Sequence, residues 1–180
     1  MLFISHLYRH KNCHNLLRGF ALARQQLGGR QLVFVGHPID ARYKAELDAL
    51  VASLRIGEDI VFVGKVAHSD TARFYQASDV FAYPSFNETF GLTILEAMAC
   101  AAPVITSSTT SMPETAGGAA LLVDPESPES IARALVEAVT PQASDQLIRQ
   151  GLARAAEFTW ENTARLTLDV YRSAFSNSRT

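Results

Sequence analysis

Two carboxylates, a glycine and a lysine carry the chemistry in this chain. Glu88 and Glu96 are separated by seven residues in Pro84-Ser85-Phe86-Asn87-Glu88-Thr89-Phe90-Gly91-Leu92-Thr93-Ile94-Leu95-Glu96-Ala97-Met98-Ala99. A strand-like run, Val80-Phe81-Ala82-Tyr83, stops at Pro84, and a helical pattern follows Gly91. A helix that begins near Gly91 points its free backbone N–H groups back toward the loop holding Glu88. That is an anion site with one acid beside it and another inside the first turns, and a phosphate bound to a sugar suits it. Each residue also has a plainer reading. Glu96 is equally a first-turn acid favoured by the helix dipole, Glu88 a solvated loop acid, Gly91 an ordinary helix start and Lys11 a surface lysine. Paired acids also suggest glycoside hydrolysis, but one here belongs to a helix and the other to its approach loop, so their jobs differ.

The elements that must position these residues alternate. Buried strand patterns cover 2–5, 31–35, 59–63, 79–83, 103–106 and 119–123. Helical spacing covers 12–27, 41–54, 69–77 with Ser69 as N-cap, 91–100, 128–139 with Ser127 as cap, 144–158 and 160–175. The strands are short, continuous and rich in Val, Ile and Phe, which suits strands covered on both faces. The spacing therefore predicts an α/β domain, a doubly wound parallel sheet with C-terminal helices. Ligands of such sheets bind at the carboxyl ends of the strands. Ser5-His6, Gly36-His37, Gly64-Lys65, residues 84–88 and residues 107–111 all fall there. The polar tail, Ser176–Thr180, reads as frayed.

With 180 residues the chain fits one domain with a full core, and 48% hydrophobic with 19% charged residues is ordinary for a globular protein. A net charge of -2 gives no bulk attraction to nucleic acid or to an anionic membrane. Two cysteines far apart, Cys13 and Cys100, make no disulfide framework and point to a reducing cytoplasm. No apolar run is long enough to span a bilayer, and the first residues lack a secretory pattern. His6, His10, Cys13 and His14 show metal-like spacing, but solvated or capping roles fit them better, and no metal is expected. Cys100 reads as buried packing, Trp160 as a hydrophobic anchor for the last helix, and Glu114 as a cap for a short helix after it. A core strand that starts almost at Met1 is expected of a chain cut from something longer.

Four blocks in order resemble the C-terminal, donor-binding domain of a retaining glycosyltransferase of family 4 (group 1), with the GT-B fold. They are Phe3-Ile4-Ser5-His6-Leu7-Tyr8-Arg9-His10-Lys11-Asn12, then Phe62-Val63-Gly64-Lys65-Val66, then Ala77-Ser78-Asp79 through the Glu88/Glu96 stretch, and finally Pro103-Val104-Ile105 to Asp124-Pro125. The resemblance implies a Rossmann-like sheet and transfer of a hexose-type sugar from a UDP-, GDP- or ADP-sugar to an acceptor hydroxyl, with retained configuration and no further cofactor. It implies that Glu96 accepts hydrogen bonds from the ribose hydroxyls, since a carboxylate takes two donors at once. Glu88 would face the transferred sugar, and Lys11 would neutralise the leaving diphosphate. The N–H groups of Gly91 and Leu92, after Phe90, would hold the diphosphate. His6 stands where the family usually has arginine, a weaker phosphate ligand at neutral pH, with Arg9 as its compensation. Thr89 replaces a frequent glycine, which narrows the sugar pocket. Gly36, Lys65 and Val66 would line the nucleotide pocket beside His37, although a simple loop role suits His37 and Lys65 equally.

The same resemblance implies an N-terminal acceptor domain, in cis or in trans, that this chain lacks. Residues 160–175 would pack on that domain, and any peripheral membrane contact would come through it. The isolated domain, a single nucleotide-sugar-binding unit over 1–180, is expected to bind nucleotide and transfer little sugar. A non-catalytic binding or scaffolding module and an epimerase-like GT-B domain are the rival readings. A redox Rossmann enzyme is disfavoured, because no G-x-G-x-x-G follows the first strand.

Overall fold

The computed structural model describes residues 1–177. The expected frayed tail, 176–180, falls outside that description except for the helical backbone at 176–177. Six strands form one sheet: β1 (Leu2–Ile4), β2 (Leu32–Val35), β3 (Ile60–Gly64), β4 (Phe81–Tyr83), β5 (Val104–Ser107) and β6 (Leu121–Val123). Their spatial order is β3-β2-β1-β4-β5-β6, and every pairing is parallel. The helices between and after them are α1 (Cys13–Ala23), α2 (Ala41–Leu54), α3 (His68–Gln76), α4 (Leu92–Ala99), α5 (Met112–Ala116), α6 (Pro128–Ala138), α7 (Pro141–Ala155) and α8 (Trp160–Asn177). This is the doubly wound α/β sheet with C-terminal helices that the strand patterns predicted.

Burial explains why these short runs hold as strands. Leu2, Phe3, Leu32, Phe34, Phe81, Ala82, Val104 and Ile105 are all at most 2% exposed, as strands roofed on both faces must be. α1 packs on α2 and α6, whereas α4 packs on α3, α5 and α7. Gly19 lets α1 meet α6 closely, since a Cβ there would stand 2.7 Å from Ile131 Cγ2. One face of the sheet carries a row of aromatic rings. Phe62, Phe34 and Phe3 are in register across β3, β2 and β1, with centroids 5.1 and 5.3 Å apart, and the Tyr83 ring of β4 lies 5.9 Å from Phe3.

The strand order reverses between β1 and β4. Chains leaving their carboxyl ends turn to opposite sides and open a crevice there. The loop after β1 brings Lys11 to that crevice and the loop after β4 brings Glu88.

Several local expectations change. The first helix ends at Ala23 and passes into a tight 3-10 turn over Arg24–Leu27, which Gly28 closes at φ 60°. Ala67, not Ser69, caps α3, and the hydroxyl that bonds inside that turn is Thr71 to His68 O. α7 begins at Pro141 because Thr140 Oγ1 accepts from Ala143 N. Ser127 caps α6 as expected, accepting from Ser130 N at 3.1 Å. Glu114 lies inside α5 rather than ahead of a helix. Cys100 is half-buried at the end of α4. Trp160 is 86% exposed, so it anchors nothing within the described residues.

Candidate functional site

At the reversal point three side chains close a triangle. Lys11 Nζ donates to Glu88 Oε1 at 2.6 Å and to Tyr83 Oη at 2.8 Å, and Tyr83 Oη donates to the same Glu88 oxygen at 2.8 Å. The Lys11 and Glu88 side chains are 14% and 13% exposed, so this is an ion pair mostly out of water. Burial alone would push the Glu88 carboxyl up, but hydrogen bonds from Lys11, Tyr83 and Ser85 outweigh it and hold the group below its ordinary value. Burial likewise pulls Lys11 down, and its bonds to Glu88 and Tyr83 outweigh that and hold it raised. The Tyr83 phenol is raised, first by burial.

The loop that carries Glu88 is fixed by hydroxyls. Thr106 Oγ1 donates to Tyr83 O, Ser107 Oγ to Ser85 O, Thr109 Oγ1 to Phe86 O, Ser111 Oγ to Glu88 O and Thr115 Oγ1 to Phe90 O. From the other side Asn12 Nδ2 donates to Pro84 O at 2.9 Å and Ser85 Oγ to His10 O at 2.9 Å. Asn12 sits at φ 62°, a conformation its short amide tolerates, and turns the chain from the Lys11 loop into α1. The Ser/Thr run 106–111 was visible at a strand end, but only the fold shows which carbonyls it satisfies.

Gly91 precedes α4 at φ 88°, where a Cβ would come within 3.0 Å of Ile94 Cδ1. The first N–H groups of α4 have no acceptor inside the helix. Thr93 Oγ1, in that first turn, is buried without a hydrogen-bond partner. Glu96 lies one turn further on, and α4 has no acid in its first turn. The dipole reading therefore loses its basis, because that effect fades beyond the first turn. Glu96 Oε2 instead accepts from Tyr75 Oη at 3.1 Å. Tyr75, on α3, is 1% exposed and its phenol is strongly raised, first by burial and then by Glu96. Tyr75 and Tyr83, which bond the two candidate carboxylates, give no signal in the sequence because a tyrosine beside apolar residues reads as core, and only the direction of its hydroxyl says otherwise.

His6, Gly36, Lys65 and Val66 come together, with His37, around a cavity of about 340 Å³ at the carboxyl ends of β1, β2 and β3. Gly36 is required there. Its φ is 144°, and a Cβ would stand 1.9 Å from Ser5 O. The side chains of Phe90 and Leu92 are not with Lys11. They line an apolar groove of about 680 Å³ with Phe158 and Trp160, and Phe90 meets Phe158 edge-on at 5.8 Å.

Arg9 departs from expectation. Its guanidinium pairs with Glu46 on α2 at 2.6 Å and lies 4.8 Å over the Tyr43 ring, so its charge is already paired here on α2. His14 is hydrogen-bonded to that same Tyr43, and Cys13 is fully buried with its thiol pushed up to about 12 by desolvation. Cys13 and His14 thereby belong to the packing of α1 on α2.

Comparison with known proteins decides the family. The family model described as "Glycosyl transferases group 1" matches residues 1–153. The chain belongs to the group 1 glycosyltransferases. It is 39% identical over 114 residues to the O-antigen chain mannosyltransferase B of Escherichia coli, which covers 63% of this chain and 30% of that protein. The sucrose-phosphate synthase of Thermosynechococcus elongatus superposes with a TM-score of 0.84 at 30% identity, over 98% of this chain and 45% of that one. HepE of Anabaena, solved with UDP and glucose, shares the fold at a TM-score of 0.83 and 22% identity, over 97% of this chain and 47% of that one. The sheet and its helices are those of the C-terminal half of a GT-B glycosyltransferase. The chain spans less than half the length of each of these proteins. Among the described residues no helix is long and apolar enough to cross a membrane.

Proposed function

We propose that this chain is the donor-binding unit of a retaining glycosyltransferase that moves a hexose from a nucleoside-diphosphate sugar to an acceptor hydroxyl. One observation carries the reading. A lysine and a carboxylate meet at the point where the strand order reverses, beside the open N-terminus of α4. As the bond between sugar and phosphate breaks, negative charge builds on the diphosphate. Lys11 and the first amides of α4 face that charge and lower the barrier. Glu88 accepts from a sugar hydroxyl or offsets positive charge at the anomeric carbon. Glu96, steadied by Tyr75, takes the ribose hydroxyls, and the cavity of His6, Gly36, Lys65 and Val66 takes the base.

Front-face attack by the acceptor needs a second wall to the crevice, so a further domain supplies the acceptor, in cis or in trans, and this unit alone binds donor while transferring slowly. The apolar residues that α8 leaves in water support such a partner: Trp160 is 86% exposed, Val170 65% and Tyr171 67%. The mannosyltransferase relative supports a role in glycan or polysaccharide assembly, and the two free thiols suit a cytoplasmic enzyme.

Calorimetry with UDP, GDP and ADP tests this. One of the three binds the wild type, and Lys11→Ala and Glu96→Ala each weaken it at least about tenfold. Affinity unchanged by both substitutions would remove the site from the protein.

A further inference from the structure

Tyr83 has a hydroxyl where its place in the core gives no reason for one. Its ring is 2% exposed, stacked 5.7 Å from Phe81 and tilted against Phe3 at 5.9 Å. A phenylalanine would make the same ring contacts. The one polar atom reaches past β4 to the ion pair and bonds both of its members at 2.8 Å.

Resting on the donor-binding reading above, we propose that Tyr83 is a positioning residue: its hydroxyl holds Lys11 in place while the ammonium passes from Glu88 to an incoming diphosphate. The argument is one of donors and acceptors. An ammonium has three N–H donors, and a phenol both donates and accepts. Here Lys11 spends one donor on Tyr83 and one on Glu88. An anion that arrives at the N-terminus of α4 competes for Lys11 with the carboxylate only. The phenol oxygen is neutral, so its bond from Lys11 persists through the exchange, and its own proton stays on Glu88. The lysine then keeps its direction although its charged partner changes. Without the hydroxyl, a long flexible side chain keeps the carboxylate and the face of the ring, 5.4 Å from its centroid, and only the first of these fixes its direction. Releasing that partner releases Lys11 to several rotamers, and the diphosphate must order it again at an entropic cost.

Tyr83→Phe leaves the ring contacts and the ion pair in place and tests this on the full 180-residue chain. The chain has only three lysines, Lys11, Lys44 and Lys65, so ε-labelled lysine resonances report Lys11 directly. Titrations use UDP, GDP and ADP, then uridine, guanosine and adenosine. The expected result is that Tyr83→Phe weakens the diphosphate that binds by roughly tenfold, with the matching nucleoside changed by less than about twofold. Lys11→Ala and the Lys11→Ala/Tyr83→Phe double variant then bind that diphosphate equally, because Tyr83 acts through Lys11. An unchanged diphosphate affinity in Tyr83→Phe overturns the proposal. So does an equal loss for nucleoside and diphosphate, or additive losses in the double variant, either of which makes Tyr83 a packing residue. A wild type that binds none of the three diphosphates overturns the donor-binding reading itself, which separates the two failures.

Discussion

The two flanks of the crevice are built in opposite ways. After β4, residues 84–90 are held by side-chain bonds from both neighbouring loops, and Ser85 and Ser107 are fully buried. After β1, β2 and β3, the side chains of His6, His37 and Lys65 stand in water. There the order lies in the main chain: Ser5 N donates to Val35 O, Gly36 N to Gly64 O and Leu7 N to His37 O. One flank arrives with its groups already aimed, as stabilising developing charge requires, since donors that must reorganise lose their advantage. The other offers a shaped backbone floor and leaves its side chains to be ordered by a ligand. On the donor-binding proposal, bond breaking would fall to the stitched flank and base binding to the open one.

The largest expected effect breaks the open flank at its one rigid point. In Gly36→Ala the new methyl meets a carbonyl oxygen at 1.9 Å, at a φ of 144° that side chains rarely adopt. The cost is about 3 kcal/mol or more, since neither β1 nor β2 can move within a packed sheet. Urea denaturation followed by circular dichroism measures it, and a midpoint equal to the wild type would mean that the floor is soft.

Next comes the ion pair that Glu88 of the stitched flank makes with Lys11 of the loop after β1. Glu88 is held below its ordinary 4.5, so the stability it supplies is complete above that value and is lost as pH falls through its folded value. Lys11 is held above its ordinary 10.5, so its share is complete below that value and is lost as pH rises through its folded value. The pair therefore contributes in full between those two ordinary values. Lys11→Ala, which strands a mostly buried carboxylate, costs about 2 kcal/mol within that window. The difference from wild type shrinks in acid as Glu88 takes up a proton. A stability difference that stays flat down to pH 2 would mean that the carboxylate is solvated instead.

A smaller effect tests the stitching. Ser107→Ala deletes a buried donor and leaves Ser85 O without that partner, at about 1 kcal/mol. Diphosphate affinity falls with it by roughly threefold, because Glu88 and Lys11 lose their fixed loop. A lower melting temperature with intact affinity would show that the loop does not need this bond to aim the pair.

How much of this was legible follows from the same contrast. The sheet was, because each strand is a short apolar run between polar turns, and burial on both faces writes that pattern directly. Gly91 as the residue that opens α4 was, because a glycine between a loop and a helical pattern marks a start, whereas the bond from Lys11 to Glu88, 77 residues on, was not. The hydroxyls were not. Thr106, Ser107 and Ser111 bond carbonyls 23, 22 and 23 residues away, and a separation that long leaves no local periodicity. Tyr75 and Tyr83 were hidden for a different reason: their rings satisfy the apolar pattern so well that nothing marks the oxygen at the end.

Arg9 shows the limit from the other side. Its charge and its place two residues before Lys11 suggest a phosphate ligand, yet Glu46 on α2 lies within reach and takes both of its hydrogen bonds, at 2.8 and 2.6 Å. The side chain is 61% exposed, so the pair is solvated and screened. Arg9→Ala is thus expected to leave the denaturation midpoint unresolved from wild type and nucleotide affinity within about twofold, the smallest change of the series. Calorimetry at low salt, where any attraction of Arg9 for a diphosphate is strongest, is the sharpest check. A tenfold loss there would mean that Arg9 leaves Glu46 when the anion arrives, and that the loop after β1 brings a second charge beside Lys11.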